Sequence, residues 1–594
     1  MKNNRRNAAL FFAFFIALCS VATLSARPHR HTALCTESFC LFAPTAVAAA
    51  SQDAATSSGD TPDLVLINGI IYTGDAQRPR VEAIAIKGET IIALSSTRNI
   101  RSLARATTKV VDLGGRFAMP GFNDAHIHLA NGGQAKLAVE LTGSRTLEEF
   151  QQKIRARLRD YRSGEWVTGR GWDHTIWPVK KFPTRHDLDA VSKDHPMVFT
   201  RVDGHVAVAN SLALQKAGIT RATPNPSGGE IEKDSQGEPT GMLKETAQGL
   251  VRRQIPAISA EQRRRGLEMA LAEAVSFGLT SAQDNSGWED FLIYEQLKKE
   301  GKLPLRITEW LPFTSTVAQL EEMRKRGGTT DPWLKTGALK GVLDGTLGSR
   351  TAAMLAPYAD DPSTRGIPII PPDRVREMVI ERDKAGFQIT LHAIGDLSNR
   401  SALDAYAAAR AANGKRDSRH KIEHAQVVAP EDFAKFAAND VIASMQPCHE
   451  TSDMRWAGQR LGPERSRGAY AWNTMQKNGI RMSFGSDYPV EPLDPLISLY
   501  ACVTRRMHPD APPGGPTDAW IPEERISLDD CIRTFTQGSA YAEFSEKLKG
   551  KISPGQFADI VVLSNDITQI PAPQILKTKV LMTFTGGKLV YERK

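Results

Sequence analysis

The sequence predicts an α/β fold built on a closed (β/α)8 barrel of the TIM type. A small β-sandwich domain drawn from both chain ends and an insertion after the first barrel strand complete it. Three observations carry this prediction. Short apolar strands alternate with helical segments through the middle of the chain, which implies a parallel sheet. Eight such strands occur, the number that closes a barrel. The two ends are β-rich and lack that alternation, and because chain ends often lie close together they can complete one sheet domain.

The elements follow in chain order. Lys2, Arg5 and Arg6 precede an apolar run from Ala8 to Cys19. A basic segment ahead of about 7–15 apolar residues is the pattern of a secretory leader, and the run is short for a membrane span. Ala48-Ala49-Ala50 before Ser51 supplies small residues for cleavage, with Ala26 a weaker, earlier site. Residues 1–50 are therefore expected to be a leader. The mature protein is expected to be exported, periplasmic or secreted, with no stable span left after leader removal. Residues 64–72 read as a strand and 81–94 as a hairpin around Lys87-Gly88-Glu89. With strands over 558–563, 580–585 and 588–591, they assign 62–119 and 548–594 to the small β domain, flanking a barrel over 120–547.

Barrel strands are expected over 121–127, 279–283, 305–310, 338–343, 387–391, 419–423, 441–445 and 480–485. Helices are expected over 260–277, 288–300, 316–326, 373–385, 399–412 and 431–438, the first with Leu267, Leu271 and Val275 on one face. The long gap between residues 127 and 279 leaves room for an inserted subdomain over 160–250, rich in Trp, Gly and Pro.

Composition narrows the function classes. With 41% hydrophobic and 24% charged residues in 594, the chain is neither disordered nor collagenous. Its net charge of +8 invites a nucleic-acid reading, but Lys2, Arg5, Arg6, Arg27 and Arg30 against Glu37 place half of it in the leader. The remaining basic residues are dispersed, so no nucleic-acid partner is expected. Six cysteines are too few for a disulfide scaffold, and Cys448, Cys502 and Cys531 form no CxxC spacing.

The chemistry-bearing residues sit at predicted strand ends. His126 and His128 close the first strand, and residues two apart share a side, so both can face one metal. His392 ends strand five, His424 strand six and Asp487 strand eight, and Lys340 lies on strand four. Barrel strand ends converge on one mouth, and four imidazoles with a carboxylate there form a zinc-type ligand set. Lys340 is open to a second reading as an ordinary lysine paired with Glu309 or Asp344. Softer candidates are His205, a catalytic candidate able to donate to a substrate carbonyl or to serve structurally, and His449 after strand seven; both are expected substrate contacts, together with Trp172 and Arg350. Trp172 and Trp177 could wall the pocket or simply pack, and Arg350 could pair with Asp344. No GxSxG serine elbow or GKS/GKT phosphate loop occurs.

The motifs PGFNDAHIH, LDGTLGSRTA, LHAIGD, IEHAQ, SMQPCH, GSDYPV and PGQFADIVVL occur in this order. With them the chain resembles the amidohydrolase superfamily over residues 62–594. The resemblance is closest to the amidohydrolase-3, YtcJ-like branch that includes N-substituted formamide deformylases. It implies a metal-dependent hydrolase that cleaves carbon–nitrogen bonds (amide, formamide or cyclic amide, not peptide) through a metal-activated water. His126 and His128 match the ligands of one metal, His392 and His424 those of a second, and Asp487 the aspartate that binds metal and shuttles protons. Lys340 matches a lysine that is carbamylated to bridge the two. One or two divalent ions per chain, zinc by preference, and a small amide-like substrate are implied, and a homodimer is compatible. Esterase, lactonase or deaminase activity on the same metal core remains an alternative, as does a non-catalytic exported barrel that binds metal or ligand.

Overall fold

The computed structural model describes residues 61–201, 206–226, 229–348, 350–510 and 516–594. The expected leader over 1–50 and His205 lie outside the described residues. The barrel strands are β1 (Phe122–Ile127), β2 (Leu279–Asp284), β3 (Arg306–Pro312), β4 (Leu334–Val342), β5 (Ile389–Ala393), β6 (Lys421–His424), β7 (Ile442–Met445) and β8 (Met482–Phe484). They pair in this order as one parallel sheet.

The seam between β8 and β1 is closed by the segment that follows β8. Asp487 N–H donates to His126 O at 2.8 Å and His128 N–H to Tyr488 O at 2.9 Å. Ser486 N–H donates to Asp124 Oδ1 at 3.0 Å. Gly485 makes this approach feasible, because a Cβ there would stand 2.5 Å from His126 N.

Helices cover the outside for the reasons the pattern suggests. Ala260–Ser276 starts at a capping box made by Ser259 and Gln262, and buries Leu267, Leu271 and Val275. It packs on Leu129–Leu137, the helix that follows β1, where a Cβ on Gly133 would meet Gly266 O at 2.3 Å. The helix expected over 431–438 is a 3-10 turn at Pro430–Asp432 followed by Phe433–Ala438, because Pro430 favours a tight first turn.

Inside the barrel the packing is partly polar. Lys421 and Glu423, two apart on β6, both point inward and are fully buried. Lys421 Nζ donates to Gln283 Oε1 at 3.0 Å and lies 3.5 Å from Glu423 Oε1.

Both chain ends build the sandwich. One sheet has the order Thr90–Ser95, Ala83–Lys87, Leu64–Ile67, Lys109–Asp112. The other runs Lys588–Glu592, Val580–Thr585, Ile560–Leu563, Phe117–Pro120, Ile70–Tyr72, Arg80–Val81. Leu66, Ile84, Ile86, Ile560, Val562 and Phe584 share one core. Phe117–Pro120 lies antiparallel to Ile560–Leu563 and runs directly into β1.

The insertion after β1 is a six-stranded sheet in the order Gly229–Lys233, Pro239–Glu245, Val206–Ala209, Met197–Arg201, Val167–Trp172, Val139–Glu140. It begins ahead of residue 160, because the chain leaves the helix after Leu137 and pairs at once, in parallel, with Gly169 and Arg170. A feature to which the sequence assigned no pairing is a Cys502–Cys531 disulfide, which ties the helix Pro495–Thr504 to Leu528–Arg533. Among the described residues, no helix is long and apolar enough to cross a membrane.

Candidate metal centre

The strand ends bring a compact donor set to the C-terminal mouth of the barrel. His126 Nε2 and His128 Nε2 lie 3.5 and 3.1 Å from Asp487 Oδ1. On the other oxygen, His449 Nε2 lies 3.5 Å from Asp487 Oδ2. Two trios have ligand atoms within 4.8 Å of one another: His126, His128 and Asp487, and His424, His449 and Asp487. Asp487 thus bridges both.

Each of three rings has its other nitrogen held from behind. His126 Nδ1 lies 3.0 Å from Glu423 Oε2, His128 Nδ1 is 3.0 Å from Asn285 O, and His424 Nδ1 is 2.8 Å from Gln446 Oε1. Such partners fix the tautomer and aim Nε2 at the centre, as they do for metal-bound histidines. Local backbone explains how His424 reaches the mouth. It lies at φ 72 and Ala425 at φ 40, so the chain leaves the strand just where alternation would have turned the ring away.

Electrostatics favour neutral ligands. Burial, helped by the Lys340 charge, pushes His126 down to about 4 and His392 down to about 3. Burial and His392 drive His424 well below the usual imidazole range. A neutral imidazole keeps the lone pair that a cation needs. Burial pushes the Asp487 carboxyl up, but His126, the His128 contact, His424 and His449 outweigh it and hold it well below the usual range. Burial also pushes Lys340 down to about 8, and its Nζ lies 3.2 Å from His126 Nε2. His449 Nε2 is buried with no hydrogen-bond partner among the described residues, a costly arrangement that a cation would relieve. The residues present fit a divalent metal.

The geometry revises several expectations. His449, read as a substrate contact, stands at ligand distance from Asp487. His392 lies beside the trio instead, its ring edge-on to His424 at 4.5 Å and its Nε2 3.3 Å from Gly345 O. Trp172 does not wall the pocket: it is buried in the insertion's own core, where its indole N–H donates to Phe199 O. Trp177 packs in the same core. Arg350 pairs with Asp360 at 2.9 Å rather than with Asp344. Asp344 instead accepts backbone N–H groups of Ala353, Ile394 and Gly395, because the loop after β4 and the turn after β5 meet over it. Lys340 forms no pair with Glu309 or Asp344. A cavity of about 440 Å³ opens over the donor set, and Trp456 and Asp453 line it. Glu423, Gln446, Asn285 and Asp453 had no assigned role in the sequence reading. A Lys-x-Glu step on an otherwise apolar barrel strand was the one available signal.

A sequence profile described as the amidohydrolase family matches residues 109–591. Protein LONG AFTER FAR-RED 3 of Arabidopsis thaliana is 33% identical, over 90% of this chain and 92% of its own. The protein YtcJ of Bacillus subtilis is 33% identical, over 88% of this chain and 98% of its own. N-substituted formamide deformylase of Arthrobacter pascens is 27% identical, over 89% and 98%. Among solved structures, a metal-dependent hydrolase from Pyrococcus furiosus superposes with a TM-score of 0.68 at 29% identity, covering 85% of this chain and all of that one.

Proposed function

Because the chain belongs to the amidohydrolase family, whose fold and donor set make it a metal-dependent hydrolase, we propose that it cleaves a carbon–nitrogen bond in a small amide, formamide or cyclic amide. The observation that carries this reading is the Asp487 carboxylate spanned by three imidazole nitrogens at 3.1–3.5 Å. A bound divalent ion, zinc by the nature of the donors, would supply the Lewis acidity that activates water and polarises a carbonyl. His126, His128 and Asp487 would hold one ion, and His424 with His449 or His392 a second. Glu423, Asn285 and Gln446 keep the rings in place. Asp487 accepts the water proton and returns it to the leaving nitrogen, which departs poorly unless protonated. Burial lowers the Lys340 ammonium far enough for a neutral amine to be present near neutral pH. That amine is the form that takes up carbon dioxide, losing a proton to solvent, so we propose that Lys340 would carry a carbamate able to serve as a further metal ligand. Export is part of the same reading: the leader pattern and the Cys502–Cys531 pair both suit an oxidising compartment.

The test is a metal analysis of purified protein, with activity on formamides, amides, lactones and esters before and after chelation. The reading expects stoichiometric divalent metal, amide or formamide turnover lost on chelation, and recovery with zinc. Turnover of lactones or esters alone would move the protein to the alternative activity. Full activity in metal-free protein would overturn the reading.

A further inference from the structure

One wall of the cavity carries a carboxylate that the proposed hydrolysis does not use. Asp453 ends the helix Pro447–Asp453, one turn after His449, so both side chains project from the same helical face. Residues so spaced have Cβ atoms about 5–6 Å apart, which puts Asp453 just beyond the reacting centre. Its Oδ2 is anchored by Gln426 Nε2 at 3.1 Å and by the Tyr470 hydroxyl. Among the described residues, no hydrogen bond reaches Oδ1 and no cation pairs with Asp453.

The surroundings deepen this imbalance. Burial, with the Glu491 charge adding to it, pushes the Asp453 carboxyl up to about 6 even though Tyr470, His449 and Gln426 act in the opposite sense. Glu491, in the loop after β8, likewise has no cationic partner among the described residues. The indole of Trp456 lines the same cavity, packed over Gly348. Its near neighbour Arg460 is already paired with Asp360. A half-enclosed carboxylate, anchored on one oxygen and open on the other beside an aromatic wall, is completed by a ligand cation.

Resting on the hydrolase reading above, we infer that Asp453 forms a subsite for a cationic substituent, an ammonium or guanidinium, carried by the substrate one helical turn from its scissile bond. The substituent's N–H groups donate to Oδ1, and Trp456 covers its alkyl stem.

The experiment uses zinc-loaded enzyme and a matched pair of amides, N-(4-aminobutyl)formamide and N-pentylformamide, which differ by an ammonium in place of a methyl. The wild type should favour the ammonium compound by about 10–100-fold in kcat/KM, the usual worth of a hydrogen-bonded charge. Asp453→Asn retains an oxygen for Tyr470 and should bring that ratio close to one. A wild-type ratio of one or less, or a preference that Asp453→Asn leaves intact, overturns the inference. Calorimetry with pentylammonium and with 1-hexanol separates this result from failure of the hydrolase reading. If neither amide turns over, ammonium binding that Asp453→Asn abolishes still supports the subsite. Absence of ammonium binding by the wild type rejects it.

Discussion

The proposed function gives Asp487 two duties that one substitution can separate. As a ligand it needs an oxygen, and as a proton carrier it needs a charge. Asp487→Asn keeps the first and removes the second. Turnover of an amide should fall by about 10²–10⁴, the range for a positioned acid/base group. Metal per chain should fall less, since the histidines remain, and the loss should lie in kcat. Activated esters should suffer less than amides, because their leaving groups depart without protonation. Near-normal amide turnover by a metal-replete variant would remove Asp487 from proton transfer. At this scale much of the centre was legible. Histidines and an aspartate at the ends of apolar strands have no cheap packing role, and the structure brings His126, His128, His424 and Asp487 together. What stayed hidden needed the third dimension. Glu423 lies next to His424 in sequence yet acts on His126 across the barrel. Trp172 looked like a pocket wall only because the sequence does not say which core the insertion builds.

Elements were legible where periodicity was strong and less so at their ends. The capping box at Ser259 and the apolar face of Ala260–Ser276 mark that helix plainly. The close crossing it makes with Leu129–Leu137 is not written in any period, since a small residue reads equally as flexibility or as contact. The structure distinguishes the two. A Cβ on Gly133 would press on Gly266 O at 2.3 Å, and a backbone carbonyl cannot swing aside. Gly133→Ala should therefore cost about 1–3 kcal/mol, as overpacking does. It should lower Tm and loosen the helix that starts at His128. Gly249 has nothing within 4 Å of its added Cβ, so Gly249→Ala is the matched control and should leave Tm nearly unchanged. Equal Tm values for the two variants would contradict the tight crossing.

For the whole molecule, eight alternating strands and two β-rich ends were enough to predict a barrel capped by a sandwich. The insertion's early start at Val139 and the Cys502–Cys531 pair were not legible, because both depend on which distant segments meet. The proposed export is tested at this scale too. Mature protein from the native host should begin near Ser51 and fractionate outside the cytoplasm, as N-terminal sequencing would show. An intact Met1 on cytoplasmic protein would refute it.

The seam has a consequence for synthesis. The backbone of Asp487 clasps His126, so the donor set joins the first barrel strand to the segment after the last. The strand that leads into His126 is in turn paired with Ile560–Leu563. A ribosome therefore releases the first two ligands long before their partners exist. A nascent or truncated chain that stops short of Asp487 carries the histidines but lacks the one carboxylate shared by both trios, and with it the clasp on His126. Under the proposed reading such fragments should hold a divalent ion less firmly than the finished polypeptide, which alone carries both the shared carboxylate and the clasp.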